Sequence, residues 1–218
     1  MTTVREQGKA RRKNAIIQAA KKLLAQGGMD ALSTRKLAEE AGLSVHTLYA
    51  LVGSKEEILD AVMEDNHNRV LSDILEIKEE HPIEKIFAIV SSTYAIIAED
   101  AAAQKPLMRV LMTLFYEGAL NPRPWWLLAQ EKGWMESAVT EAMQRKLLRT
   151  DIPAPVIADM LMKLYLANLR DYLFEKTSLD AFHDATNAEF WVCLMGVTTD
   201  ALRPVYLKRA KAAAKALR

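Results

Sequence analysis

Residues 34–52, TRKLAEEAGLSVHTLYALV, hold two helical runs separated only by Ala41-Gly-Leu-Ser44. A connection this short leaves no room for a gradual change of direction, so the second helix must leave the first at a steep angle. The residues at the crossing suit that demand. Ala38 is small where two backbones nearly touch. Gly42 falls at the turn, where a positive φ is needed and a Cβ would cost about 1 kcal/mol or more. Ser44 can cap the second helix. Leu37, Ala41, Leu43 and Leu48 take inward positions, with Leu51 or Val52 closing the cluster. This is the pattern of a helix-turn-helix, which offers the N-terminal residues of its second helix to the DNA major groove. A plain helical corner has the same outline, and the flanking charge tells against it.

The chain's net charge is only +1, but the distribution is uneven. Residues 1–55 hold ten Lys/Arg against four Asp/Glu, a net +6; residues 56–200 carry a net −11; residues 201–218 carry +6 with no acid. A basic N-terminal quarter on an acidic body directs one end toward a polyanion. Of the 218 residues, 50% are hydrophobic and 26% charged, a soluble globular composition. The single cysteine, Cys193, excludes an internal disulfide framework and fits a reducing cytoplasm. The start, MTTVREQGKARRKN, has basic residues with no apolar run behind them, so no secretory signal is expected. No stretch approaches the ~18 charge-free apolar residues of a membrane span. A cytoplasmic protein without membrane contact is predicted.

Apolar spacing is helical almost everywhere, and no run of alternating β-branched residues occurs. An all-α fold of about nine helices follows. Residues 11–26 form the first, ended by Gly27-Gly28, and residues 33–40 and 44–50 the two short ones. Ser54-Lys-Glu-Glu57 is a capping box that opens a helix to about residue 79. Further helices are predicted over 82–100, from Lys105-Pro106 through Tyr116, over 125–149, 155–175 and 179–202, with Pro204 kinking the last. The basic tail after it, LKRAKAAAKALR, is expected to be a helix with a solvated basic face. A boundary near Ser54 divides residues 1–53, a DNA-binding domain with a basic arm, from residues 54–218.

The stretch GGMDALSTRKLAEEAGLSVHTLYALVGSKEEILDAV resembles the N-terminal DNA-binding domain of the TetR family of bacterial repressors. The likeness covers roughly residues 11–62, and LSTRKLA and TLYxxV are closest to the tetracycline-repressor type. It implies Thr34 and Arg35 near backbone or base, and Val45, His46 and Thr47 as base readers. It implies Tyr49 as a phosphate or sugar contact and Lys55 as a phosphate contact. Elementary chemistry agrees in part: Lys55 lies on the first turn of a helix, Arg35 can bond a guanine in bidentate fashion, and Thr47 can meet a thymine methyl. Val45 can offer only apolar contact. The family often has His where this chain has Leu51, so one backbone contact is missing.

The same resemblance implies an effector pocket and a dimer interface in the C-terminal bundle. Met63, His67, Tyr94, Met108, Met112, Phe115, Trp125 and Trp134 are the Met, aromatic and His residues placed for an adaptable apolar cavity, or simply for a core. Asn168 sits in an apolar helix and needs a partner, either in the core or on a ligand. The last long helices are apolar on more than one face. Leu161, Tyr165, Leu169, Trp191 and Leu194 are the expected interface of a four-helix dimer contact. Glu64-x-x-His67 has half of a di-iron helix signature, but Asp180-x-x-His183 is a poor second half, so no metal is expected. Neither a phosphate-binding loop nor a nucleophile elbow is present, so neither an enzyme nor a cofactor is expected. Leu71 stands where the tetracycline repressor has a drug-contacting His, which argues against tetracycline as effector.

The sequence thus predicts a homodimeric repressor of a near-palindromic double-stranded DNA operator, released by a small apolar or amphipathic effector. An architectural DNA-binding protein without effector is the alternative, and a helical small-molecule carrier comes third.

Overall fold

The computed structural model describes residues 4–76, 81–116 and 124–216, without the side chains of residues 73, 75, 76, 115, 124–129 and 216. Ten helices run through them: α1 (Val4–Ala31), α2 (Thr34–Glu40), α3 (Val45–Val52), α4 (Lys55–Glu76), α5 (Pro82–Glu99), α6 (Ala101–Tyr116), α7 (Pro124–Gln144), α8 (Ala154–Leu173), α9 (Leu179–Val197) and α10 (Arg203–Ala216). Among the described residues, the only β pairing is one isolated bridge between Leu148 and Thr198. The chain forms two compact units: residues 1–69 with 100–127, and residues 70–99 with 128–218.

In the first unit α1 is the central rod. Ile16, Ala20, Leu23 and Leu24 form the expected stripe and are buried with Leu37, Ala38, Leu48, Val52, Leu59 and Val62. Leu107, Leu111 and Leu114 of α6 join the same core. The helix starts earlier than its apolar pattern implied: the basic arm from Val4 to Lys13 is already helical. Its regular geometry ends at Gly27 and Gly28, as predicted. Gly28 has φ +60, a conformation that L side chains rarely adopt.

Serine caps define the next starts. Ser33 Oγ accepts from Lys36 N–H at 3.3 Å, and Ser44 Oγ from Thr47 N–H at 3.1 Å. In the capping box, Ser54 N–H donates to Glu57 Oε2 at 2.8 Å while Glu57 N–H donates to Ser54 Oγ at 3.2 Å. Between α2 and α3, Gly42 takes φ +66, and Leu43 N–H returns to Ala38 O at 2.9 Å. The turn is therefore as tight as the sequence demanded.

In the second unit α9 packs against α5, α8 and α10. Phe87 of α5 stacks on Trp191 at a ring-centroid distance of 4.6 Å and tilts against Phe190 at 5.6 Å. Buried polar groups are paired across it: Thr93 Oγ1 and the Tyr165 hydroxyl share a 2.8 Å bond. Burial, and then the charge of Glu131, push the Tyr165 phenol well above its usual range.

Three boundaries differ from the sequence reading. α6 opens at Ala101 rather than at Lys105, because Asp100 Oδ1 accepts from Ala103 N–H at 3.1 Å and caps it. Pro106 then lies inside the helix and not at its start. α7 ends at Gln144, where Lys146 turns left-handed with φ 59 and Leu147 N–H closes on Ala142 O at 2.9 Å. α9 ends at Val197, and Pro204 sits in the first turn of a separate α10, where its missing N–H is tolerated. That separation makes ten helices where about nine were expected. The basic tail is the helix predicted, anchored by buried Tyr206 and Ala210, with Lys208, Lys211 and Lys215 exposed. The breaks at 77–80 and 121–123 fall outside the described residues.

Gly42 and Gly133 offer opposite tests of this backbone. Neither would bring a new Cβ within 4 Å of a neighbour, but Gly42 has φ +66 while Gly133 lies within α7. Gly42→Ala should lower stability by about 1 kcal/mol, and Gly133→Ala should raise it by about 0.5–1 kcal/mol. Denaturant unfolding measures both.

Candidate nucleic-acid interface and helical body

α3 is held at its buried side and open at its first turn. Leu48 is fully buried and Val52 nearly so, while Val45 is 41% exposed and Tyr49 53%. Ser44 and His46 are exposed and Thr47 is half-buried. Five of the eight nucleic-acid candidates are drawn into two small hydrogen-bonded groups on this surface. The Thr34 hydroxyl and the Tyr49 hydroxyl share a bond at 3.3 Å, which links the starts of α2 and the middle of α3. The Ser44 and Thr47 hydroxyls share another at 2.8 Å, and the Ser44 oxygen also caps the helix. Lys55 Nζ reaches Met29 O at 3.5 Å, so the ammonium lies by the turn after α1. Arg35 is exposed.

Electrostatics around Lys55 are mixed. Its neighbour Glu56 has its carboxyl held below the usual range by a backbone N–H at the head of α4, by the Ser54 side chain, and by Lys55. The capping box already uses the Ser54 and Glu57 N–H groups. The ammonium of Lys55, more than the helix start, is thus the group available to an anion.

The nine pocket candidates are spread over both units. In the first, Met63 packs on the core, Met108 and His67 are buried, and Met112 is half-buried. The side chains of Phe115 and Trp125 lie outside the described residues. In the second, Trp134 is half-buried, and the Tyr94 hydroxyl donates to Asp180 Oδ1 at 2.8 Å, a bond that raises its pKa. Asn168 has its partner within the fold: Nδ2 donates to Glu189 Oε2 at 2.6 Å. Sequence reading missed the buried Thr93–Tyr165 pair, although Ser91-Ser-Thr93 inside an apolar helix was a visible signal. Among the described residues, no group of three or more His, Cys, Asp or Glu is placed to hold a metal ion, and no helix is long and apolar enough to cross a membrane.

The five residues expected at a dimer interface require correction. Leu161, Tyr165, Leu169, Trp191 and Leu194 are all 8% exposed or less within the single chain, so they form its own core. Trp191 is covered by Phe87, by Tyr206 and by Arg209, whose guanidinium lies 5.1 Å from its ring centre. The apolar residues of α8 and α9 that do face outward are Val156, Met160 and Val192, at 56%, 46% and 54% exposure. Helical periodicity revealed two apolar faces but not which of them the chain covers itself.

A short helix reading outward from a rigid three-helix core, beside a larger helical bundle, defines the helix-turn-helix class of regulatory protein. Residues 16–62 match the family of bacterial regulatory proteins called TetR. They are also similar to tetracycline repressor proteins of class D from Escherichia coli and class H from Photobacterium damsela subsp. piscicida. Each is 44% identical over 50 residues, which cover 23% of this chain and 23% of the repressor. Through this segment the chain belongs to the TetR family, whose members are regulators and not enzymes. Solved structures extend the likeness in fold to the bundle. SmeT, the repressor of a Stenotrophomonas maltophilia multidrug efflux pump, is 18% identical with a TM-score of 0.70, over 87% of this chain and 92% of that one. FadR, a fatty acid degradation regulator from Bacillus halodurans, is 15% identical with a TM-score of 0.70, over 84% and 94%. A TetR transcription regulator from Haloarcula marismortui is 14% identical with a TM-score of 0.73, over 87% and 100%.

Ser44 and His46 should separate when each is replaced by Ala. Ser44→Ala removes the cap of α3 and should cost about 1 kcal/mol of stability. His46→Ala, on the exposed side of the same turn, should change it by less than about 0.5 kcal/mol. Thermal melts of the two variants side by side check this.

Proposed function

We propose that the protein is a homodimeric, ligand-responsive transcriptional repressor that binds a near-palindromic operator. The observation that carries this reading is the exposed first turn of α3, seated on a buried core within the TetR-matched segment. In this reading residues 1–53 are the DNA-binding domain and residues 54–218 the effector-binding and dimerisation domain. Val45, His46 and Thr47 face base edges; Thr34, Arg35, Ser44, Tyr49 and Lys55 fix the position on backbone or base. The helical basic arm, with Arg5, Lys9 and Arg12 at helical spacing, adds charge on the same side of the sequence. Two α3 helices of a dimer would occupy successive major grooves about 34 Å apart.

The fold likeness to SmeT and FadR, whose names tie them to a multidrug efflux pump and to fatty acid degradation, supports a largely apolar effector for the body. Such a ligand would favour one body conformation, and the coupling to DNA would be reciprocal. The dimer contact is assigned to the outward apolar residues Val156, Met160 and Val192 of α8 and α9.

Lys55→Ala should weaken binding to all DNA sequences alike and flatten the salt dependence by about one unit in slope. Thr47→Ala should change preference at one base pair per half-site. Uniform losses in both variants, measured by fluorescence anisotropy over salt, would reverse the docking of α3; equal affinity for every DNA would select an architectural role instead.

Assembly is tested at the surface and not in the core. Met160→Lys and Val192→Lys should yield folded monomers in sedimentation at micromolar concentration. Leu161→Lys would bury a charge inside the chain and should cost several kcal/mol of fold stability, of order ~3–5.

A further inference from the structure

In the first unit a cleft of about 480 Å³ opens between α1, α4 and the start of α6. Gln18, Lys21, Lys22, Ala25 and Gln26 line one wall, all on one face of α1. The opposite wall is the first two turns of α6, where Ala102 and Ala103 leave space and Leu107 forms an apolar floor. Its volume suits a small molecule.

The charges on the wall are of mainly one sign. Lys21, Lys22 and Arg69 are cationic, against one carboxylate, Asp100. That carboxylate is occupied as the cap of α6, accepting from Ala103 N–H. The α6 N-terminus adds the positive end of its dipole. One further group is unexplained by the fold. Gln104 Oε1 is buried and has no hydrogen-bond partner. A buried acceptor left unpaired is unfavourable unless something supplies the missing donor.

We propose that this cleft binds a small anion carrying a carboxylate or phosphate group together with a hydroxyl or amine donor. The anionic group meets the cations of α1 and Arg69, and the donor meets Gln104 Oε1. The site is separate from any effector pocket of the body, and it lies one contact from the reading head. Lys22 bonds Glu40 of α2 at 2.5 Å, and Lys21 bonds Asp65 of α4 at 2.6 Å. An anion competing for Lys22 loosens the tie between α1 and α2.

The test is calorimetric titration of the full-length protein with malate, 3-phosphoglycerate and inorganic phosphate, with glycerol as uncharged control and ionic strength held constant with NaCl. Saturable one-to-one binding of malate or 3-phosphoglycerate is expected; inorganic phosphate, which lacks the carbon-borne donor, should bind more weakly. Lys22→Gln, at an exposed side chain, should weaken binding about tenfold, the size of one charge-assisted bond. Gln104→Leu should also lose binding, yet raise the melting temperature of the free protein, since it removes an unpaired buried acceptor. No saturable binding, or equal binding in wild type and both variants, would overturn the site. A lowered melting temperature for Gln104→Leu would show that the amide serves the fold alone and would overturn it too. None of these measurements uses DNA, so failure here and failure of the repressor reading are distinguishable.

Discussion

An eight-residue helix is not stable alone in water, because one costly nucleation is followed by too few propagating bonds. α3 exists because Leu48 and Val52 are buried against a core already formed by α1 and α2. Burying a side chain such as Leu48 completely contributes about 1.5–3 kcal/mol. The partners are Ile16, Leu24 and Leu37, all fully buried or nearly so. Everything the outward face can do depends on this contact, since it fixes which side of an otherwise unstable helix meets solvent. The turn at Gly42 and the caps at Ser33, Ser44 and Ser54 only set where the pieces start.

The part of the fold governed by local chemistry was legible in the sequence. Caps, a left-handed glycine and the small residue at a crossing act within a few residues, so their meaning does not depend on distant packing. Gly28, Gly42, Ser44 and the Ser54–Glu57 box all behave as their residue types demand. Where the reading missed, a competing local or tertiary effect decided. Asp100 captured the start of α6 ahead of Pro106, and Lys146 adopted a left-handed turn that no glycine announced.

The body was less legible for a physical reason. Met and aromatic residues at helical spacing fit both a core and a cavity, and only three-dimensional packing separates the two. Asn168 could have faced a ligand but bonds Glu189 instead. Leu161 and Trp191 have the periodicity of an interface but are sealed by their own chain. Residues at a true interface must combine apolar character with exposure in the free chain, and Val192 and Met160 do. A pattern of hydrophobicity carries the first property and is silent on the second.

The magnitudes also decide how control could be shared. An exposed or half-exposed ion pair such as Lys22–Glu40 contributes about 0–1 kcal/mol. Breaking it alone changes an equilibrium by about fivefold at most. Moving a two-state equilibrium nearly completely needs a differential affinity of roughly 10⁴-fold. A small anion in the α1–α6 cleft therefore has the strength to tune DNA affinity but not to abolish it. Full release requires a larger repacking, of the kind that an apolar ligand buried in a helical body can drive through many side-chain contacts. The two inputs would then differ in kind: one grading the affinity of the head, the other setting the conformation of the dimer that presents it.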